Sequence, residues 1–217
     1  MTGFAARLRA ATRAEHRDAE TRGFLTRLLG GTVPPAGFAA LTAQYLIVYR
    51  ELEAAAATMR DNPVAAGFAD PALARVAALE TDLAHLRGSA GEPAVEPVEA
   101  TRRYAARLRE YCHTSPVHFI AHHYVRYLGD LSGGRLVGRR VAAIYGLERA
   151  GTAFYRFDRI ADPAAYKAAY RARLDALALT GPELAALAGE ARLAFALNAA
   201  MFQELGSAYP EDLGSAA

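Results

Sequence analysis

One cysteine, one lysine and no apolar run long enough to cross a bilayer set the first limits on this chain of 217 residues. Cys112, standing alone, excludes an internal disulfide and a CxxC metal knuckle, and an inert buried thiol is its expected role. A membrane-spanning helix takes about 18 or more consecutive apolar residues, and no such run occurs. The first residues lack the continuous apolar region of a secretory signal. They are rich in arginine and poor in acid until Glu15, which reads as a structural helix and not as a transit peptide. The last stretch, Gly206 to Ala217, is polar and carries no anchor. A cytoplasmic protein without a membrane anchor is the expectation. A formal charge of +2 gives no reason to expect nucleic acid as a partner. The isoelectric point near 8.8 would favour an acidic partner if the arginines share a face.

What is present is helix. Hydrophobic residues make up 53% of the chain, dominated by alanine and leucine, both strong helix formers. Segments with helical period run over Ala5–Leu29, Ala36–Arg60, Pro71–Arg87, Pro97–His113, Pro116–Ile144, Pro163–Leu179 and Pro182–Leu205. Prolines sit just inside several starts, where a missing N–H costs nothing. Asp70, Ser115, Asp162 and Gly181 are the N-caps this implies. No alternating pattern competes for strand and no internal repeat occurs. One all-α domain covering residues 1–217 is predicted, with an ordered core from Phe4 to Gly206. Gly88–Pro97 is the loop able to accept insertions, whereas the aromatic connection Gly146–Ala161 is no flexible linker.

Two of these helices carry unusual patterns. On the first, Arg9, Arg13, His16 and Glu20 fall at i, i+4, i+7 and i+11 and share one face. A solvated charged face explains such a stripe. So does a ligand site in which a neutral imidazole ligates heme iron, arginines meet carboxylates and Glu20 orients the ring. On the fifth, three glycines fall within six residues, in Tyr124-Val125-Arg126-Tyr127-Leu128-Gly129-Asp130-Leu131-Ser132-Gly133-Gly134. Each glycine costs about 1 kcal/mol of helix stability against alanine, so something must compensate. Gly129 and Gly133 form a strip without side chains, suited either to close helix packing or to a flat ligand lying on backbone, with Asp130 ordering water beside it. Gly133-Gly134 permits a kink. His118 and His122 have the spacing of a metal pair but lack a third ligand nearby, and read as structural or exposed histidines, like His85 and His113.

Taken together, Leu8–His16 and Arg126–Gly134 resemble the proximal and distal helices of heme oxygenase. The resemblance continues through Gly151–Phe157, Tyr166–Arg173 and Ala194–Phe202, in order along nearly the whole chain. It implies a multihelical bundle with heme, both cofactor and substrate, between a proximal helix and a kinked glycine-rich one. His16 would be the iron ligand and Glu20 its orienting residue. Gly129, Gly133 and Gly134 would lie over the heme, and Asp130, together with Tyr49 on the second long helix, would organise the distal water chain. Arg9, Tyr124, Lys167 and Arg171 would hold or flank the propionates, which Arg13 could meet from the stripe. Phe195, Asn198 and Phe202 would line the pocket and its water network. Arg9 stands where many relatives have lysine, and Val125 where some carry a polar residue.

The implied reaction is oxidative cleavage of heme by O2 to biliverdin, ferrous iron and carbon monoxide. No flavin or iron–sulfur motif is present, so electrons come from a reductase or a ferredoxin- or flavodoxin-type donor. Arg102, Arg103, Arg135, Arg139 and Arg140 are candidates for its docking patch. Two other readings compete. A heme carrier or sensor would have no use for Asp130 within the glycine strip. A thiaminase-type enzyme of similar fold would need a nucleophile, which Cys112 is poorly placed to supply.

Overall fold

The computed structural model describes residues 3–21, 23–88 and 96–210, without the side chains at 18–21. Among the described residues ten α-helices follow one another: α1 Phe4–Ala11, α2 Arg13–Thr21, α3 Gly23–Gly30, α4 Pro35–Met59, α5 Val76–Arg87, α6 Glu99–Tyr111, α7 Pro116–His123, α8 Arg135–Tyr145, α9 Pro163–Asp175 and α10 Gly181–Ala208. No strand occurs among the described residues.

Two long helices organise the rest. α4 packs against α5, α6 and α7, and α10 against α2, α3, α6 and α7. By length and composition α10 could cross a membrane, but its place is at the centre of the bundle, with Leu187, Ala191, Ala194 and Met201 fully buried. Leu52, Phe38, Leu108, Phe119 and Leu174 fill the core around it. Burying such a side chain is worth about 1.5–3 kcal/mol, and truncating Leu52 to alanine would cost about 2–5 kcal/mol.

The helix boundaries follow local chemistry. Pro35, Pro116, Pro163 and Pro182 lie in first turns. Ser115 and Asp162 cap as expected, accepting from the His118 and Ala164 N–H groups, whereas Asp70 accepts from Ala72 N–H and caps a separate 3-10 turn at Pro71–Leu73. Gly181 does not: it is the first helical residue, and Thr180 caps α10 in a capping box with Glu183. Gly146 ends α8 in the left-handed conformation, φ 63°.

Three predicted helices are interrupted; Pro71–Arg87 is a 3-10 turn at Pro71–Leu73 followed by α5 from Val76. The stretch expected as one helix from Ala5 to Leu29 is three, and the first break is at Thr12, whose hydroxyl back-bonds to the Leu8 carbonyl at 2.9 Å and bends the chain. The stretch Pro116–Ile144 passes from α7 into two π-helical segments, Tyr124–Leu128 and Asp130–Gly134, before α8 begins. In a π turn each N–H bonds five residues back, a widening that a run with three glycines tolerates. Most of the expected insertion loop Gly88–Pro97 lies outside the described residues.

Candidate functional site

The π-helical segments, α2, α4 and α10 enclose a cavity of about 150 Å3. His16 enters from α2, Phe195, Asn198 and Phe202 from α10, and Tyr45 from α4, while Gly129, Asp130, Gly133 and Gly134 form the facing wall. The imidazole of His16 meets the Phe195 ring edge-on, with centroids 5.5 Å apart. His16, Arg9 and Arg13 are exposed.

The glycines decide between close packing and an open face. A Cβ added at Gly129 or Gly133 would meet nothing within 4 Å, so no neighbouring helix packs there. Gly138, one helical turn beyond Gly134, is the packing glycine: a Cβ on it would sit 2.6 Å from Cβ of Tyr155.

Behind the open strip lies a buried charge network. Arg126 donates to Asn198 Oδ1 at 2.6 Å and to Tyr49 Oη at 3.3 Å, and its guanidinium covers the rings of Tyr45 and Tyr49 at 4.5 and 5.0 Å. The Tyr49 hydroxyl donates to the Asp130 carboxylate. Burial alone would lower the Arg126 pKa, yet Tyr49, Asp130 and Tyr45 hold it well above its ordinary value. Burial pushes the Asp130 carboxyl up against the opposing pull of Arg126 and Tyr49. A carboxyl raised in this way takes up and holds a proton more readily than an exposed one. Tyr127 continues the network to Glu53 at 3.5 Å.

A second cluster gathers basic groups around Tyr124. Tyr124 makes a hydrogen bond with Thr12 and lies within electrostatic reach of Arg9 and Arg171. Lys167 is one turn before Arg171 on α9 and half-buried. The side chain of Glu20 lies outside the described residues.

Sequence reasoning brought His16, Asp130, the three glycines, Phe195, Asn198 and Phe202 to one place. It gave no separate role to Arg126, although a lone arginine inside an apolar run is itself a signal of a paired buried charge. His118 and His122 are structural, as expected: His122 meets Glu190 at 2.8 Å, and Arg107 holds the same carboxylate at 2.7 Å. No group of metal-ligating side chains occurs among the described residues. Cys112 is buried, which pushes its thiol up to about 12 and leaves it inert at neutral pH.

The five arginines considered for donor docking do not form one patch. Arg102 and Arg103 are on α6, paired with Glu99 and Glu204. Arg135, Arg139 and Arg140 are on α8, which packs against α3, and Arg140 is tied to the Leu29 carbonyl at 2.7 Å.

Comparison with known proteins gives one answer. The family described as heme oxygenase matches residues 2–204. Heme oxygenase 1 of Nostoc sp. (strain PCC 7120) is 36% identical over 205 residues, covering 94% of this chain and 86% of that one. Heme oxygenase 1 of Rattus norvegicus is 36% identical over 208 residues, covering 94% and 72%. The crystal structure of heme oxygenase-1 from Synechocystis sp. PCC6803 in complex with heme is similar with a TM-score of 0.90 at 34% identity, over 95% of this chain and 94% of that one.

Proposed function

This chain belongs to the heme oxygenase family, and on that premise we propose that His16 and the Asp130 network face opposite sides of a heme and direct its opening. It is an oxygen-dependent heme-degrading oxidoreductase with heme as both substrate and cofactor. Biliverdin, iron and carbon monoxide are the products typical of the family.

The residues present fit such a ligand. The bare backbone at Gly129 and Gly133 has open space on its outer side, and His16 stands in the same cavity. The cavity, about 150 Å3, is smaller than the roughly 300–1,000 Å3 of ordinary small-molecule sites. Seating a heme therefore requires the walls to part, and the π-helical segments are the wall best suited to give.

Heme, once bound, supplies the iron that activates O2 and the meso carbon that is oxidised. His16 ligates and centres the macrocycle. Arg9, Arg13, Tyr124, Lys167 and Arg171 hold its carboxylates, which sets its rotation in the plane and so the carbon presented to the distal wall. Gly129 and Gly133 keep that wall close, and Asp130 holds the proton for the distal side through water, with its position set by Tyr49 and Arg126. Asn198 steadies Arg126 from α10.

The observation that carries this reading is a half-buried carboxyl, bonded by the buried Tyr49 hydroxyl, in the same cavity as His16. A carrier or sensor has no need of one. The electron donor is an acidic ferredoxin- or flavodoxin-type protein or a reductase, docking on the arginines of α8, and the site of action is the cytoplasm. In the test, hemin, O2 and a reductase system are added to the protein while the Soret band and biliverdin absorption are followed. The wild type loses the first and gains the second. Asp130→Ala retains heme but yields little biliverdin, and a normal yield would remove Asp130 from its role. Loss of turnover with rising salt, at constant heme content, supports the donor surface.

A further inference from the structure

The glycine helix has a second face with a larger cavity. Gly133, Gly134 and Val137 look into the site above, whereas Leu131, Arg135, Gly138, Arg139 and Ala142 follow i, i+4, i+7, i+8 and i+11 on another side. With the segment 152–163 they enclose about 650 Å3, within the roughly 300–1,000 Å3 of small-molecule sites.

The chemistry of this cavity is divided. Its floor is apolar: Leu131, Tyr155, Phe157 and Ile160 are all buried. Its mouth carries three exposed guanidiniums, Arg135, Arg139 and Arg156, against one carboxylate, Asp158, which is already paired with Arg149. The wall is rigid before any ligand arrives. Asp82 accepts from the Ala153 and Phe154 N–H groups at 2.8 and 2.7 Å. From below, Arg75 donates to the Phe154 and Arg156 carbonyls and stacks on Phe157 at 4.1 Å. Tyr155 lines both cavities, with its Cβ seated on the Gly138 backbone.

We propose that this cavity is a second ligand site, for an amphipathic organic anion: an apolar ring system carrying one or more carboxylates. The floor takes the rings out of water, and the unmatched guanidiniums favour carboxylates, which they bind in a bidentate manner. An uncharged ligand would leave the arginines unmatched. An open-chain tetrapyrrole with two carboxylates belongs to this class. The choice of biliverdin as probe rests on the proposed reaction, whereas the site itself does not.

The test is binding, read on protein already loaded with one equivalent of heme so that the first site is filled. Biliverdin is titrated by calorimetry, with its dimethyl ester as the uncharged control. Saturable binding of one equivalent is expected, weakened about tenfold or more by Arg156→Glu, by the cavity-filling Ala142→Trp, and by esterification. The Soret band and melting temperature of each variant show that heme binding and fold are kept. Absence of saturable binding up to about 1 mM, or binding that either variant leaves unchanged, overturns the site. Equal affinity for the ester overturns the anionic class. Heme turnover enters none of these readouts, so their failure leaves the proposed reaction standing.

Discussion

On one wall of the heme site Arg126 is buried and bonded to Asn198 and Tyr49, and Tyr49 is bonded to Asp130. On the other, His16, Arg9, Arg13 and Arg171 are exposed. The distal groups have already lost their water on folding, and their mutual bonds offset that cost. The proximal groups lose theirs only when a ligand covers them. The distal wall is thus part of the folded protein's stability, and the proximal wall is where ligand affinity is generated.

The largest expected effect tests the proximal half. His16→Ala should lower turnover by at least about 100-fold and abolish the histidine-ligated heme spectrum, while urea unfolding of the heme-free protein shifts by no more than about 0.5 kcal/mol. A marked loss of heme-free stability would break the contrast. Arg126→Met is the mirror experiment. It leaves Asn198 and Tyr49 without their donor and Asp130 without its counter-charge, and should cost about 3–5 kcal/mol of stability with no ligand present. A change under about 1 kcal/mol would show that the network is not structural.

Acid should attack the structural side next. Burial holds His123 down at about 3 and His122 below its ordinary value. For Glu190, burial works upward, but His122 and Arg107 outweigh it and bring the carboxyl to about 2. All three bind protons more readily when unfolded, so stability rises with pH. It should be fully present above pH 6.5, fall first through the histidines as the pH drops toward 3, and fall again through Glu190 between 4.5 and 2. The glutamate step is worth about 3 kcal/mol, and Glu190→Gln should flatten it in a pH series of urea melts. The smallest effect is expected at the proximal rim. Lys167→Gln with Arg171→Gln removes one half-buried and one exposed charge, and should weaken heme by only about two- to fivefold while mixing the biliverdin isomers resolved by chromatography. A single isomer would show that other groups set the heme rotation.

The contrast also explains what could be read without coordinates. The proximal stripe is visible because Arg9, Arg13 and His16 keep helical spacing, although the break at Thr12 puts Arg9 on α1 and the other two on α2, and the glycines because they offend helix propensity. Arg126 shows only as a charge out of place, since its partners Tyr49 and Asn198 are 77 and 72 residues away. The break at Thr12 needs a side-chain bond to its own helix, which periodicity does not register. Thr180 capping α10 was readable from Glu183 three residues on, and the adjacent glycine concealed it. The cavity behind α8 depends on where the 152–163 segment returns, which no local pattern dictates.

The two π segments have a consequence for how this fold can drift. A π turn is an α-helix holding one residue too many, and each residue of an α-helix turns it by about 100°. Deleting one residue from each of Tyr124–Leu128 and Asp130–Gly134 would restore ordinary helix, keep the flanking turns in register and close the widening that carries the glycine strip. A bundle could survive that loss, with its two long core helices and α8 still packed, while the wall facing His16 lost its shape. The fold could in this way shed its chemistry through two small deletions without shedding its architecture.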